Sequence, residues 1–156
     1  KELTSHLISL GHRRILYVDS NPSPRHFSFH CRFEGYRQAL AEAGLEDSVR
    51  KLSGVPQDLA AQIVTMTPRP TAVVSYDDRF TTAILHGLWK HGVHVPADMS
   101  IATFNNTELT KYSIPSLTTM EVPAAQMSRQ GVQMILKQIE TREKAPPKPI
   151  LLQKNW

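Results

Sequence analysis

The sequence predicts an α/β fold, a parallel sheet with helices on both faces. Two features carry this reading. Segments with apolar residues at helical spacing alternate with short continuous apolar runs, and such runs suit strands buried on both faces. Glycine then follows several of the helical segments, where a helix needs a stop.

Leu3, Leu7, Ile8 and Leu10 lie on one face of a first helix, which Gly11 ends. Ile15-Leu16-Tyr17-Val18 reads as a buried strand, and Asp19-Ser20-Asn21-Pro22-Ser23-Pro24 as a turn-rich break. Helix resumes from about Phe29 to Ala43, with Tyr36, Leu40 and Ala43 on one face and Gly44 as its stop. A short strand near Val49 to Leu52 precedes a helix from about Gln57 to Met66 that carries Leu59, Ile63 and Met66. Ala72-Val73-Val74 is the next strand, followed by a helix from Arg79 to His91 and a stop at Gly92. Met99 to Phe104 reads as a strand, an irregular segment runs to Pro115, and Leu117 to Val122 is a further strand. The last helix spans about Pro123 to Glu140, with Val132, Ile135, Leu136 and Ile139 on one face. The tail breaks at Ala145-Pro146-Pro147, and Ile150-Leu151-Leu152 is expected to form a final strand.

At 156 residues the chain is one domain or one lobe of something larger. Apolar residues make up 40% and charged residues 21%, a composition that can bury a core. The formal net charge of +4 is scattered and does not by itself point to nucleic acid. Cys31 stands alone, which excludes an intrachain disulfide, and no run of about 18 apolar residues could span a membrane. The chain has no initiator Met, and Lys1 to Ile8 already reads as the middle of a helix. A piece of a longer chain is therefore expected, with the cytoplasm as its default location.

Open parallel sheets bind ligands beyond the carboxyl ends of their strands. The polar residues there are Asp19, Asp77-Asp78 and Asn105-Asn106. The two adjacent carboxylates could serve as an acid/base or metal pair, or as helix caps. Capping is expected to fall to Asp78, which leaves Asp77 as the ligand group. His26 and His30 are four apart, but His26 lies in a Pro-rich loop without an acidic companion, while the spacing of His86 and His91 takes them off one helix face. These are read as surface or packing histidines. HExxH, paired cysteines, GxxxxGK, GxGxxG and GxSxG are all absent, so no catalytic residue, metal site or cofactor is expected. Arg32 stands near the start of the helix after the first strand, where its rigid fork could hold two oxygens of one ligand.

Several segments, in order along the chain, resemble LacI/GalR-type transcriptional regulators. They are Leu7-Ile8-Ser9-Leu10-Gly11-His12-Arg13-Arg14-Ile15, the RxxGYxxAL pattern from Arg32 to Leu40, and Pro70-Thr71-Ala72 with Asp77-Asp78. The GxxVPxDxS pattern from Gly92 to Ser100 and Pro115-Ser116-Leu117-Thr118-Thr119 complete the set. The resemblance implies a periplasmic-binding-protein-like effector core of two lobes that clamp a small ligand, usually a sugar. On that pattern, residues from about 1 to 118 form the C-terminal lobe. Residues from about 119 to 145 cross to the N-terminal lobe, and those from about 146 to 156 return. The helix-turn-helix domain, through which such a regulator meets operator DNA, is not in this sequence.

The resemblance also places the ligand on Arg32, Asp77 and Asn105, with Met127 near its floor and Asp19-Ser20 as further polar groups at the cleft. Asp77 stands where relatives carry Asn, and Asn105-Asn106 where they carry Asp-Asp, so acid and amide have exchanged places. The Phe104-Asn105-Asn106 run resembles maltose-type regulators, which points to an oligosaccharide. A homodimer is implied, with the helix from Arg79 to His91 and the region of Tyr112 as contact surfaces. The rival readings are a sugar-binding protein of a transport system and a hydrolase using Asp77 or Asp78.

Overall fold

The computed structural model describes residues 1–20, 27–141, 150 and 152. The elements are α1 (Glu2–Ser9), β1 (Ile15–Asp19), α2 (Phe27–Glu42), β2 (Lys51–Ser53), α3 (Pro56–Thr65), β3 (Ala72–Ser75) and α4 (Asp78–Lys90). They continue with β4 (Ser100–Asn105), α5 (Glu108–Tyr112), β5 (Thr118–Glu121) and α6 (Ala124–Thr141). The five strands form one sheet in the order β2-β1-β3-β4-β5, and every adjacent pair is parallel. The chain therefore steps outward in opposite directions from β1 and β3, which makes the gap between their carboxyl ends a topological switch point.

Strand parity divides the core in two. Leu16, Val18, Val73 and Ile101 pack with Leu59, Ile63, Ile84 and Leu88 of α3 and α4. Ile15, Tyr17, Val74 and Ala102 pack with Leu3, Leu7, Tyr36 and Leu40 of α1 and α2. All five residues of β1 and all four of β3 are buried, as expected of strands covered on both faces. Between α3 and α4 the backbones meet closely. A Cβ built on Gly87 would lie 2.5 Å from the Cβ of Ala60.

The segments that resemble the regulators mostly have structural work. Gly11, at φ 94°, ends α1 with the paired bonds Gly11 N–H to Ile8 O (3.0 Å) and His12 N–H to Leu7 O (3.2 Å). That turn sets His12 between Thr71 and Ser100, its ring nitrogens 3.0 and 2.9 Å from their hydroxyls, so the entries to β3 and β4 are tied together. Burial holds the His12 pKa below its ordinary value. Tyr36 is fully buried; its hydroxyl donates to Ile15 O (2.8 Å) and accepts from Arg50 N–H (3.1 Å), linking α2 to the starts of β1 and β2.

Two features were not foreseen. A single 3-10 turn covers Glu46–Ser48, and α5 occupies part of the segment expected to be irregular. Both are short, and α5 buries only Thr110, so neither leaves an apolar period in the sequence. The strand expected at 150–152 includes Leu151 and so lies outside the described residues, as does His26. No helix among the described residues is long and apolar enough to cross a membrane.

Candidate ligand-binding site

Three strand ends meet at the switch point. β1 ends at Asp19, β3 leads through Ser75 into Tyr76 and Asp77, and β4 ends at Asn105. Arg32 reaches them from α2. Its Nη1 donates to Tyr76 O (2.6 Å) and its Nη2 to Asn105 Oδ1 (2.9 Å). The guanidinium carbon lies 4.6 Å from the ring centre of Tyr76 and 4.6 Å from that of Phe104. The cation is thus gripped at its edge by two oxygens and flanked by two aromatic rings. Tyr76 is itself held: Phe29 stacks on it at 3.4 Å with a 9° interplanar angle, and its hydroxyl meets that of Ser28 at 2.7 Å.

The cap of α4 falls on Asp77 and not on Asp78, where it was expected. Asp77 is the N-cap of α4, with Oδ1 accepting from Phe80 N–H at 2.7 Å. Its backbone is extended (φ −148°, ψ 165°), the geometry in which a cap side chain reaches the third helical amide. Asp78, expected to cap, is buried and accepts from Arg79 N–H (2.9 Å) and from Thr107 N–H (2.8 Å). It therefore ties the start of α4 to the loop that leads into α5.

Burial lowers the Arg32 pKa, and the neighbouring tyrosines Tyr76 and Tyr17 and the carboxylates Asp77 and Asp78 oppose that effect. Arg32 is thus joined to Asn105 by a hydrogen bond and to Asp77 and Asp78 through charge alone. Asn105 and Asn106 both have positive φ, 95° and 53°. Asparagine tolerates this region better than most side chains, and backbone held there is a mark of functional loops. Asn106 is anchored rather than open: its N–H donates to Thr119 Oγ1 (3.2 Å), and its Oδ1 accepts from Thr110 (3.0 Å).

Asp19, at the end of β1, is fully buried and pairs with Lys51 Nζ at 2.8 Å. Met127 is 52% exposed on α6. Sequence reasoning missed Tyr76 and Phe104, the rings that flank Arg32, and Phe29, which stacks on Tyr76. A signal existed, because Tyr76 and Phe104 each directly precede a polar residue at a strand end. Tyr17 was missed as well. Its hydroxyl is buried near Arg32 and Asp19 without a hydrogen-bond partner among the described residues, and burial followed by the Asp19 charge raises its pKa.

A family model described as "periplasmic binding protein-like domain" matches residues 4–155. The repressor PurR of Vibrio campbellii is 33% identical over 149 residues, covering 90% of this chain and 43% of its own length. The regulator GalR of Escherichia coli is 31% identical over 145 residues, covering 89% of this chain and 42% of its own. The chain thus spans less than half the length of these relatives. A LacI family transcriptional regulator from Enterococcus faecium, solved with bound ribose, superposes with a TM-score of 0.80 at 26% identity, over 91% of this chain and 54% of that one. The arrangement of sheet and helices is thus a known one: this chain belongs to the periplasmic binding protein-like domain family, in the form that LacI/GalR-type regulators carry.

Proposed function

We propose that the chain is the effector-sensing part of a cytoplasmic LacI/GalR-type transcriptional regulator and not an enzyme, with a sugar as its ligand. One observation carries the reading furthest: Arg32 is locked onto Tyr76 O and Asn105 Oδ1 between two rings at the carboxyl ends of β3 and β4, with Asp77 among the charges that act on it. Arginine offers donors only, a carboxylate accepts, and an amide does both, a set that suits neighbouring hydroxyls of a polyol. Asp77 would meet the ligand through Oδ2, since Oδ1 serves the cap. The ribose in the Enterococcus faecium structure supports a sugar. Operator binding would belong to a domain outside this sequence.

The lobe boundaries follow the same reading, with residues from about 119 to 145 crossing to the other lobe. In support, α6 buries none of its residues, and Val132, Ile135, Leu136 and Ile139 form an apolar face that is 56, 58, 53 and 68% exposed. A second lobe would cover that face and close the cleft. Ligand would then favour the closed form only by its differential affinity for it.

The test is a thermal-shift screen of the intact protein against mono- and oligosaccharides, ribose included, since a ligand that binds only the folded state raises its apparent stability. Arg32→Ala is expected to abolish the shift while leaving the unliganded melting cooperative. An unchanged shift would remove Arg32 from the site. Operator affinity that no sugar alters would overturn the sensing role.

A further inference from the structure

The opposite end of the sheet carries a second concavity, made of residues with no part in the site above. Arg14 immediately precedes β1 and Arg50 immediately precedes β2. The register pairs Tyr17 with Lys51, which sets Arg50 opposite Leu16. Arg14 and Arg50, both exposed, lie at the entries to these two strands and border one concavity with Leu16 and Met66. With Ser48 and Thr67 they line a cavity of about 170 Å³.

Both guanidiniums are held without being neutralised. Arg14 Nε donates to Arg69 O (3.0 Å), and Arg50 Nη1 donates to Asp47 O (3.1 Å) and Val49 O (2.9 Å). Neither forms an ion pair among the described residues. Backbone carbonyls thus fix their position and leave the positive charge and the remaining N–H donors available. The main chain beneath is also fixed, since Arg14 O accepts from Thr71 N–H (2.9 Å) and Arg50 N–H donates to Tyr36 (3.1 Å). Two arginines held by backbone carbonyls at the border of one cavity lose little freedom on binding, and guanidinium geometry matches phosphate oxygens. Ser48 and Thr67 bring hydroxyl donors to the same lining; Asp47 also lines it, and its carboxylate would disfavour bare phosphate while accepting from a hydroxyl of an attached group.

The geometry points to a second small-molecule site here, for a phosphate dianion held by Arg14 and Arg50. It is distinct from the cleft of Arg32 and lies at the other end of the same strands. Calorimetric titration of the intact protein at constant ionic strength tests it, with glycerol 3-phosphate and inorganic phosphate as probes. Saturable binding of either is expected, and Arg14→Gln/Arg50→Gln should weaken it by roughly tenfold or more. Tighter binding of glycerol 3-phosphate identifies an organic phosphomonoester as the source, and equal binding identifies free phosphate. Arg37→Gln, which removes a guanidinium paired with Glu34 on α2, should leave the affinity unchanged. Arg50→Gln alone, which disturbs no strand pairing, provides the same readout if the double variant fails to fold. Absence of saturable heat up to about 10 mM, or equal affinity in the arginine variants, overturns the proposal.

Discussion

At Asp77 one carboxylate has two separable tasks. Oδ1 caps α4, and losing a cap side chain costs about 0.5–2 kcal/mol. Asp77→Ala should therefore lower stability by that amount in chemical denaturation. Asp77→Asn should keep the cap and lie within a few tenths of a kcal/mol of the parent, because both residues cap well. The same Asn variant should change which sugars stabilise the intact protein, since a carboxylate that only accepts becomes an amide that also donates. His12 bears a different prediction. Its folded pKa lies below the ordinary 6.5, so between those values the unfolded chain binds more protons than the folded one. Its contribution is fully present above pH 6.5 and declines as pH falls toward the folded value. Urea denaturation at pH 7 and pH 5 should show a smaller loss in His12→Gln than in the parent. An equal loss would remove His12 as a source of acid sensitivity.

At the scale of elements, the contact between α3 and α4 depends on a missing side chain. A Cβ on Gly87 would meet Ala60 at 2.5 Å, and overpacking of this kind costs about 1–3 kcal/mol. The helix-propensity gain of Gly→Ala returns only about 1 kcal/mol. Gly87→Ala should thus destabilise the fold by about 1 kcal/mol net, and adding Ala60→Gly should recover part of the loss. Thermal melts of the single and double variants check this. The caps at Gly11 and Gly92 show why glycine was informative in the sequence: each takes φ above 70°, which L side chains rarely adopt. α5 had no such mark. Its Thr107 cap and five-residue length are too little pattern to distinguish it from a loop.

At the scale of the whole molecule, two exposed apolar surfaces stand out among the described residues. α6 presents one, which the second lobe would cover. The other lies on α4, the end of α5 and the segment after it, where Trp89, Tyr112 and Ile114 are 67, 78 and 96% exposed. Trp89 and Ile114 border a cavity of about 550 Å³ with Leu85 and Pro115. Buried aromatic anchors dominate protein interfaces, so this face is the one expected to join two copies of the chain. In sedimentation velocity, Trp89→Ala with Ile114→Glu should weaken dimerisation of the intact protein by roughly tenfold or more, with sugar binding retained. A dimer of unchanged affinity would place the contact elsewhere.

The sequence by itself determined the layer architecture. Continuous apolar runs, helical periods and glycine stops depend on near neighbours, and each left its mark from Leu3 to Ile139. Resemblance then pointed to Arg32, Asp77 and Asn105, and the fold brings the first and last within one hydrogen bond. Only the tertiary structure decided how they stand. Whether Asp77 or Asp78 caps depends on where the backbone turns helical. That Tyr76 and Phe104 flank Arg32 depends on the pairing of β3 with β4 and on the packing of α2 across them. The same holds for Arg14 and Arg50, which are 36 positions apart in sequence and become neighbours through the parallel register of β1 and β2. Local patterns are set by residues a few positions away, whereas sites are assembled by contacts between distant ones.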